Sequence, residues 1–248
     1  MKGCIMDKGF QAIFLDVGNT LRIVIKDPEY MGKAQKELMA LIGTPLSEQD
    51  FFNEMETRWR SYRKQAKEQL IEVSEKELWT KWLLPDYPME TVASLSGELT
   101  RLWRNHGGRR IPRADVKTAI PELHRRGYVL GIIANTITEQ EIPDWIEADG
   151  LTDCFQTVVL SSKVGIRKPN PEIFLEAARR VGVEPAKCAY VGDNPSRDVV
   201  GARSAGYGLT VLILEPDSES PGVLTDEHTP DHAIRELSEL LNIFPSLQ

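Results

Sequence analysis

At 248 residues the chain is long enough for one large domain, or a core with a smaller insert, around a sizeable hydrophobic centre. Its 37 acidic against 30 basic residues argue against a nucleic-acid partner held by a broad basic surface, and the cluster Arg109, Arg110 and Arg113 is too short to change that. No apolar run approaches the roughly 18 residues that a membrane span needs, and no apolar signal segment opens the chain, so a cytoplasmic protein without a membrane partner is expected.

Taken in order, the run Ala12 to Leu15 reads as a short buried strand that stops at a lone carboxylate, Asp16, before the turn-forming pair Gly18-Asn19. Asp16 is therefore expected at the carboxyl end of a strand, the edge where open parallel sheets bind ligands. Taken alone, it reads equally well as a cap of the turn.

From Asp27 the period becomes helical. Asp27-Pro28 opens a first helix, with Tyr30, Ala34, Leu38 and Leu41 on one face and Gly43 at its end. Ser47 with Asp50 opens a second, faced by Phe52, Met55, Trp59 and Tyr62. Ser74 with Glu77 opens a third, carrying Leu78, Trp79, Trp82 and Leu83 up to Pro85, and a fourth shows Val92, Leu95, Leu99, Leu102 and Trp103 before Gly107-Gly108. Four amphipathic helices in succession predict an all-helical insert over residues 26–110. At helical spacing its aromatic residues are expected to form core rather than a pocket.

Beyond Ile111 strands and helices alternate: a helix over residues 121–126, strands over 128–134 and 155–160, a helix over 171–181 capped by Asn170, a strand over 188–191, a helix over 197–205 and a strand over 209–214. An amphipathic helix over residues 233–244 closes the chain. The pattern predicts an α/β core, residues 1–25 and 111–248, built on a parallel sheet covered on both faces. Cys4, Cys154 and Cys188 are widely spaced without a CxxC pair or clustered histidines, so neither zinc nor a disulfide framework is expected. Cys188 reads as a small buried hydrophobe, and His106 and His124 as isolated residues without a role.

Four strand ends carry unusual polar residues: Asp16; then Ala134, Asn135 and Thr136; then the loop 163–169 with Lys168; and finally Gly192 through Asp193 to Asp198. A parallel sheet places its carboxyl ends on one edge, so these groups are expected to converge. One of Asp193 and Asp198 would ordinarily cap the following helix. Beside Asp16, both would repel unless a cation lay between them, and a few hard oxygen ligands suit Mg²⁺. Lys168, in isolation a surface lysine, would at this edge neutralise the acids and hold a phosphoryl or carboxylate group.

The stretches from Asp16 to Leu21, Ile133-Ala134-Asn135, Gly165 to Pro171 with Ile173-Phe174, and Val191-Gly192-Asp193 to Asp198 with Gly201-Ala202 and Ala205-Gly206 resemble the four ordered motifs of the haloacid dehalogenase-like (HAD) hydrolase superfamily. The resemblance implies a Rossmann-like core, a mobile helical cap of the C1 type, an aspartate nucleophile that forms a covalent intermediate, and usually a Mg²⁺-dependent phosphatase of small phosphorylated molecules. By position Asp16 would be the nucleophile, Lys168 the cation steadying it and the substrate, and Asp193 the acid on the metal with Asp198 behind it. Gly18 would offer the metal its backbone carbonyl, and Asn135 would orient an oxygen of the transferring group.

Two positions depart from that pattern. Gly18 stands where the phosphatases carry a second aspartate as general acid and base, and Ala134 where they carry Ser or Thr; Thr136 is a shifted source of a hydroxyl. Losing the acid should lower the rate by something on the order of 10² to 10⁴ unless the leaving group is reactive. Asn19 replaces the turn's glycine and tolerates a left-handed backbone. The readings are then a slow phosphatase on a reactive leaving group, a catalytically degenerate ligand-binding or interaction protein, and a metal-independent 2-haloacid dehalogenase, against which the acid pair Asp193 and Asp198 stands. Substrate and oligomeric state are not legible.

Overall fold

The computed structural model describes residues 9–214 and 225–247; Cys4 lies outside them. Strand β1 (Ala12–Leu15) occupies the residues expected of it, and all four are fully buried. Ile13 and Leu15 join an apolar layer with Ile132 and Val191, whereas Ala12 and Phe14 join the opposite layer with Phe174 and Tyr190. That alternation is what a strand covered on both faces requires.

After β2 (Arg22–Ile25) come the helices. In α1 (Pro28–Ile42) the Asp27 carboxylate accepts the Tyr30 N–H at 3.1 Å, and Gly43 ends the helix at φ 65°. Ser47 caps α2 (Glu48–Gln69) by accepting the Asp50 N–H at 3.2 Å. Capped by Ser74, α3 (Glu75–Glu77) widens into a π-type turn over Leu78–Leu83, and α4 (Met89–His106) follows. These helices bury Leu38, Met55, Trp79 and Leu99 in an apolar cluster of their own. The Trp79 ring is inaccessible and its Nε1–H donates to Thr100 at 2.8 Å. Tyr62 and Trp103 are buried in the same cluster, with Trp59 and Trp82 packed on it. β3 (Arg109–Pro112) then returns antiparallel to β2, and this two-stranded ribbon joins the helices to the sheet. Charged neighbours mask the ribbon's short β-branched run in the sequence.

The remaining elements are α5 (Val116–Arg125), β4 (Val129–Ala134), α6 (Glu141–Ala148), β5 (Phe155–Leu160), α7 (Ser161–Val164), α8 (Pro171–Val181), β6 (Cys188–Gly192), α9 (Val200–Ser204), β7 (Leu209–Ile213), β8 (His232–Ile234) and α10 (Leu240–Ile243). The sheet runs β5-β4-β1-β6-β7-β8, and every pair in it is parallel. The order reverses at β1, so the carboxyl ends of β1, β4 and β6 border a topological switch point, where such sheets bind ligands. No described helix is long and apolar enough to cross a membrane.

Two expectations need correction, and one helix was not expected. Helix α5 starts at Val116 and carries Pro121 inside it, because Val116, Ala119, Ile120 and Leu123 are buried on one face. That burial outweighs the roughly 3 kcal/mol cost of an interior proline. Helix α6, interrupted in pattern by Pro143, has no sequence signal strong enough to reveal it. The expected closing helix over 233–244 is instead strand β8, a tight turn at Leu237–Glu239 and the single turn α10. The open edge of β7 recruits His232–Ile234 as a parallel partner, and pairing overrides a weak helical period.

Candidate functional site

Asp16 leaves β1 with its N–H donated to the Val191 carbonyl at 2.9 Å, so the register of β1 on β6 fixes where its carboxylate stands. Only 4% of the residue is accessible. Lys168, the expected partner, reaches it from the loop after α7: its Nζ lies 3.0 Å from Asp16 Oδ1 and 2.7 Å from Asp198 Oδ1. Far from being a surface lysine, it has no exposed side-chain area. Its Nζ also donates to the Tyr190 hydroxyl at 2.6 Å, which donates in turn to the Ile133 carbonyl at 3.0 Å. Tyr190 is thus a spacer from β6 that sets the height of the ammonium group.

Asp193 and Asp198 arrive from the loop after β6. Neither caps the helical turn over Pro195–Val199; Asn194 does, accepting the Arg197 N–H at 2.9 Å. Asp198 Oδ2 instead accepts the Asn194 N–H at 3.0 Å. The approach requires Gly192, since a Cβ there would stand 2.5 Å from the Asp198 carboxyl carbon.

A residue that the patterning does not single out completes the cluster. Arg197 Nη2 lies 2.7 Å from Asp193 Oδ1, 3.1 Å from Asp16 Oδ2 and 3.4 Å from Asp198 Oδ2. The available signal was its i,i+4 spacing from Asp193 on a helical turn. Three carboxylates therefore face two cations. Burial, with the charge of Asp16, pushes the Asp193 carboxyl up to about 6. Burial acts the same way on Asp198, but Lys168 and Arg197 overcome it and hold that carboxyl below its ordinary range. The three carboxylates in turn keep Arg197 firmly protonated despite its burial.

Asn135 is tied to the backbone of the lysine's own loop. Its Oδ1 accepts the Lys168 N–H at 2.8 Å and its Nδ2 donates to the Lys168 carbonyl at 2.9 Å, so the amide is occupied by the backbone of Lys168. It is a positioning residue for the lysine. The same loop is tied to the end of α2: Arg167 Nη1 pairs with the buried Glu72 at 2.9 Å, and Glu72 accepts from Ser161 at 3.1 Å and from Tyr62. Thr136 spends its hydroxyl as acceptor for the Thr138 N–H at 3.2 Å. Asn19 adopts φ 54°, as asparagine tolerates, and its amide reaches Asp193 at 3.3 Å.

A cavity of about 270 Å³ opens beside the cluster, lined by Asp16, Gly18, Asn19, Ala134, Asn135, Asp193 and Arg197 among others. Oxygens of Asp16, Asp193 and Asp198 lie within 4.8 Å of one another, a hard donor set that fits a divalent cation such as Mg²⁺. The Arg197 guanidinium rests on those same three carboxylates through a single nitrogen, while its buried Nε has no acceptor among the described residues.

A family model described as haloacid dehalogenase-like hydrolase matches residues 10–206. The chain is 35% identical over 136 residues to glyceraldehyde 3-phosphate phosphatase of Methanopyrus kandleri, covering 55% of this chain and 58% of that protein. It is 27% identical over 238 residues to the enzyme of the same name from Pyrococcus furiosus, 94% and 92% of the two chains. Against the first curated relatives that it matches, the chain spans about half their length, 58%, 48% and 46%. Two solved structures share the fold: a HAD phosphatase from Thermococcus onnurineus, with TM-score 0.62 and 24% identity over 95% of this chain and 98% of that one, and a 2-haloacid dehalogenase from Pseudomonas syringae pv. Tomato, with TM-score 0.68 and 22% identity over 94% and 97%.

Proposed function

Because the chain belongs to the haloacid dehalogenase-like hydrolases, we propose that it is a phosphatase of a small phosphorylated metabolite, working through an aspartyl-phosphate on Asp16. The observation that carries this reading is the Asp16 carboxylate at the switch point, bound by Lys168 and Arg197 and lining the cavity. Relatives named glyceraldehyde 3-phosphate phosphatase and phosphoserine phosphatase support phosphoryl chemistry. In this reading residues 1–25 and 111–248 are the core and residues 26–110 the cap that closes over the cavity.

Asp16 attacks phosphorus, the bond to the leaving oxygen breaks, and water then releases phosphate from the carboxylate. Lys168 holds the nucleophile in place, and its buried charge lowers the energy of the negative charge that spreads over the phosphoryl oxygens. Asp16, Asp193, Asp198 and the Gly18 carbonyl would hold Mg²⁺, which when bound supplies positive charge to that group. Turnover of a reactive aryl phosphate in Mg²⁺ and in chelator tests the reading; turnover that chelator leaves untouched refutes the metal part of it.

Two further results are expected. A Cβ at Gly18 would meet nothing within 4 Å, so the backbone there has room for a side chain to begin, and Gly18→Asp is the substitution that supplies the missing acid. Hydrolysis of an unactivated alkyl phosphate should rise by something on the order of 10² to 10⁴, with a far smaller gain on the aryl ester, whose leaving group needs no proton. Equal gains on both esters would contradict a proton-donor role. Arg197→Gln removes a cation from three carboxylates, so calorimetric titration should show Mg²⁺ binding roughly tenfold tighter or more. Unchanged affinity would mean that Arg197 and the metal do not compete.

A second reading has one observation in its favour: a resident cation already occupies the three acids. In it the chain binds an anionic ligand without turnover, and neither aryl phosphate hydrolysis nor a gain from Gly18→Asp is seen.

A further inference from the structure

A second cavity of about 260 Å³ lies between the helices and the sheet edge, and it shares Arg104, Arg110, Asn135 and Thr136 with the cavity that contains Asp16. Trp59 and Arg63 from α2 and Trp103 from α4 line it as well. Among the arginines on the wall, Arg104 is paired with Glu141 and Arg167 with Glu72. Glu56, the other acid there, lies 3.9 Å from His106 Nε2.

Arg63 and Arg110 differ from these neighbours, since neither has a carboxylate within ion-pair distance among the described residues. Arg63 is exposed, with its guanidinium 5.3 Å above the Trp59 ring. Arg110 is half-buried, and its Nη1 donates only to the backbone carbonyls of Arg104 at 2.6 Å and Gly108 at 3.2 Å. Its Nε and Nη2 remain for another acceptor. Burial and the charge of Arg104 push the Arg110 guanidinium down to about 10, and Glu141, which pairs with Arg104, offsets them only in part. A partly desolvated charge of this kind is stabilised by any anion that reaches it.

We propose that Arg110 and Arg63 form a second oxyanion site, and that the substrate is a phosphate monoester whose far end carries a carboxylate or another phosphate, with its body along Trp59 and Trp103. The proposal rests on the reading of Asp16 as the phosphoryl acceptor, which fixes the other end of the ligand. The helical insert then selects the substrate by charge at the end remote from the chemistry.

The test is calorimetric titration with unhydrolysable alkylphosphonates of increasing chain length, ended by methyl, carboxylate or a second phosphonate. At a preferred length, an anion-ended probe should bind the native protein roughly 10- to 100-fold tighter than its methyl-ended counterpart. In the Arg63→Met/Arg110→Met double variant that advantage should vanish, the anion-ended probe binding no tighter than the methyl-ended one. Arg63→Met alone, at an exposed position, should lose part of the advantage and covers the case in which the double variant does not fold. Equal binding of the series at every length, or an advantage that survives both substitutions, overturns the proposal. If no phosphonate binds at all, the phosphoryl-acceptor reading of Asp16 fails separately. The arginine pair is then judged by glutarate, which binds the native protein and not the double variant if the site exists, and neither if it does not.

Discussion

Asp16→Asn should abolish hydrolysis of a reactive aryl phosphate, lowering the rate by roughly 10⁴ or more, while leaving the protein close to the stability of the native chain. Both halves follow from the same contacts. An amide cannot displace a phosphoryl leaving group, whereas Asn is close to isosteric with Asp and its single oxygen keeps either the contact to Lys168, 3.0 Å from Oδ1, or that to Arg197, 3.1 Å from Oδ2, so one lost contact is set against the relief of charge. Three carboxylates against Lys168 and Arg197 leave the cluster with one uncompensated negative charge, and the substitution removes it. Thermal unfolding followed beside the kinetics separates the two effects. Activity that survives in the variant would remove Asp16 from the chemistry, and a large fall in Tm would mean that the charge balance around it has been misjudged.

Lys168→Met should be the most destabilising single change at the site, at about 3 to 5 kcal/mol, because it leaves buried carboxylates facing each other without their shared cation. The ammonium group has no exposed area and three partners: Asp16 at 3.0 Å, Asp198 at 2.7 Å and Tyr190 at 2.6 Å. Methionine fills much of the same volume, so the loss reports charge rather than a cavity. For a chain of this size each kcal/mol moves Tm by about 2 to 4 °C, which puts the expected fall well above experimental error. Adding Asp198→Asn to the variant should recover part of the loss, since it neutralises one stranded acid; a purely additive double variant would contradict the coupling. Turnover should be lost in both, because the restored stability does not restore the cation.

The elements that could be read without coordinates are those whose causes are local. Ser47, Ser74 and Asn170 announce helix starts because a short side chain satisfies an N–H two or three residues on. Ala12–Leu15 announces a strand because four apolar residues end at a carboxylate and a turn. Strand β8 was hidden because its three residues take their conformation from the edge of β7, not from their own pattern.

For the site, the sequence by itself determined which chemical groups stand at strand ends: Asp16, Lys168, Asp193 and Asp198 could be named because a parallel sheet delivers its carboxyl termini to one edge whatever the loop lengths. It likewise determined that Gly18 leaves no acid there. Only the tertiary structure decided that Arg197 turns inward onto three carboxylates, that Asn135 grips the backbone of Lys168, and that Arg110 has no acidic partner within ion-pair distance among the described residues. These outcomes depend on distances of a few ångströms between side chains whose parent elements are far apart in the chain, and electrostatic and hydrogen-bond energies change over that same length.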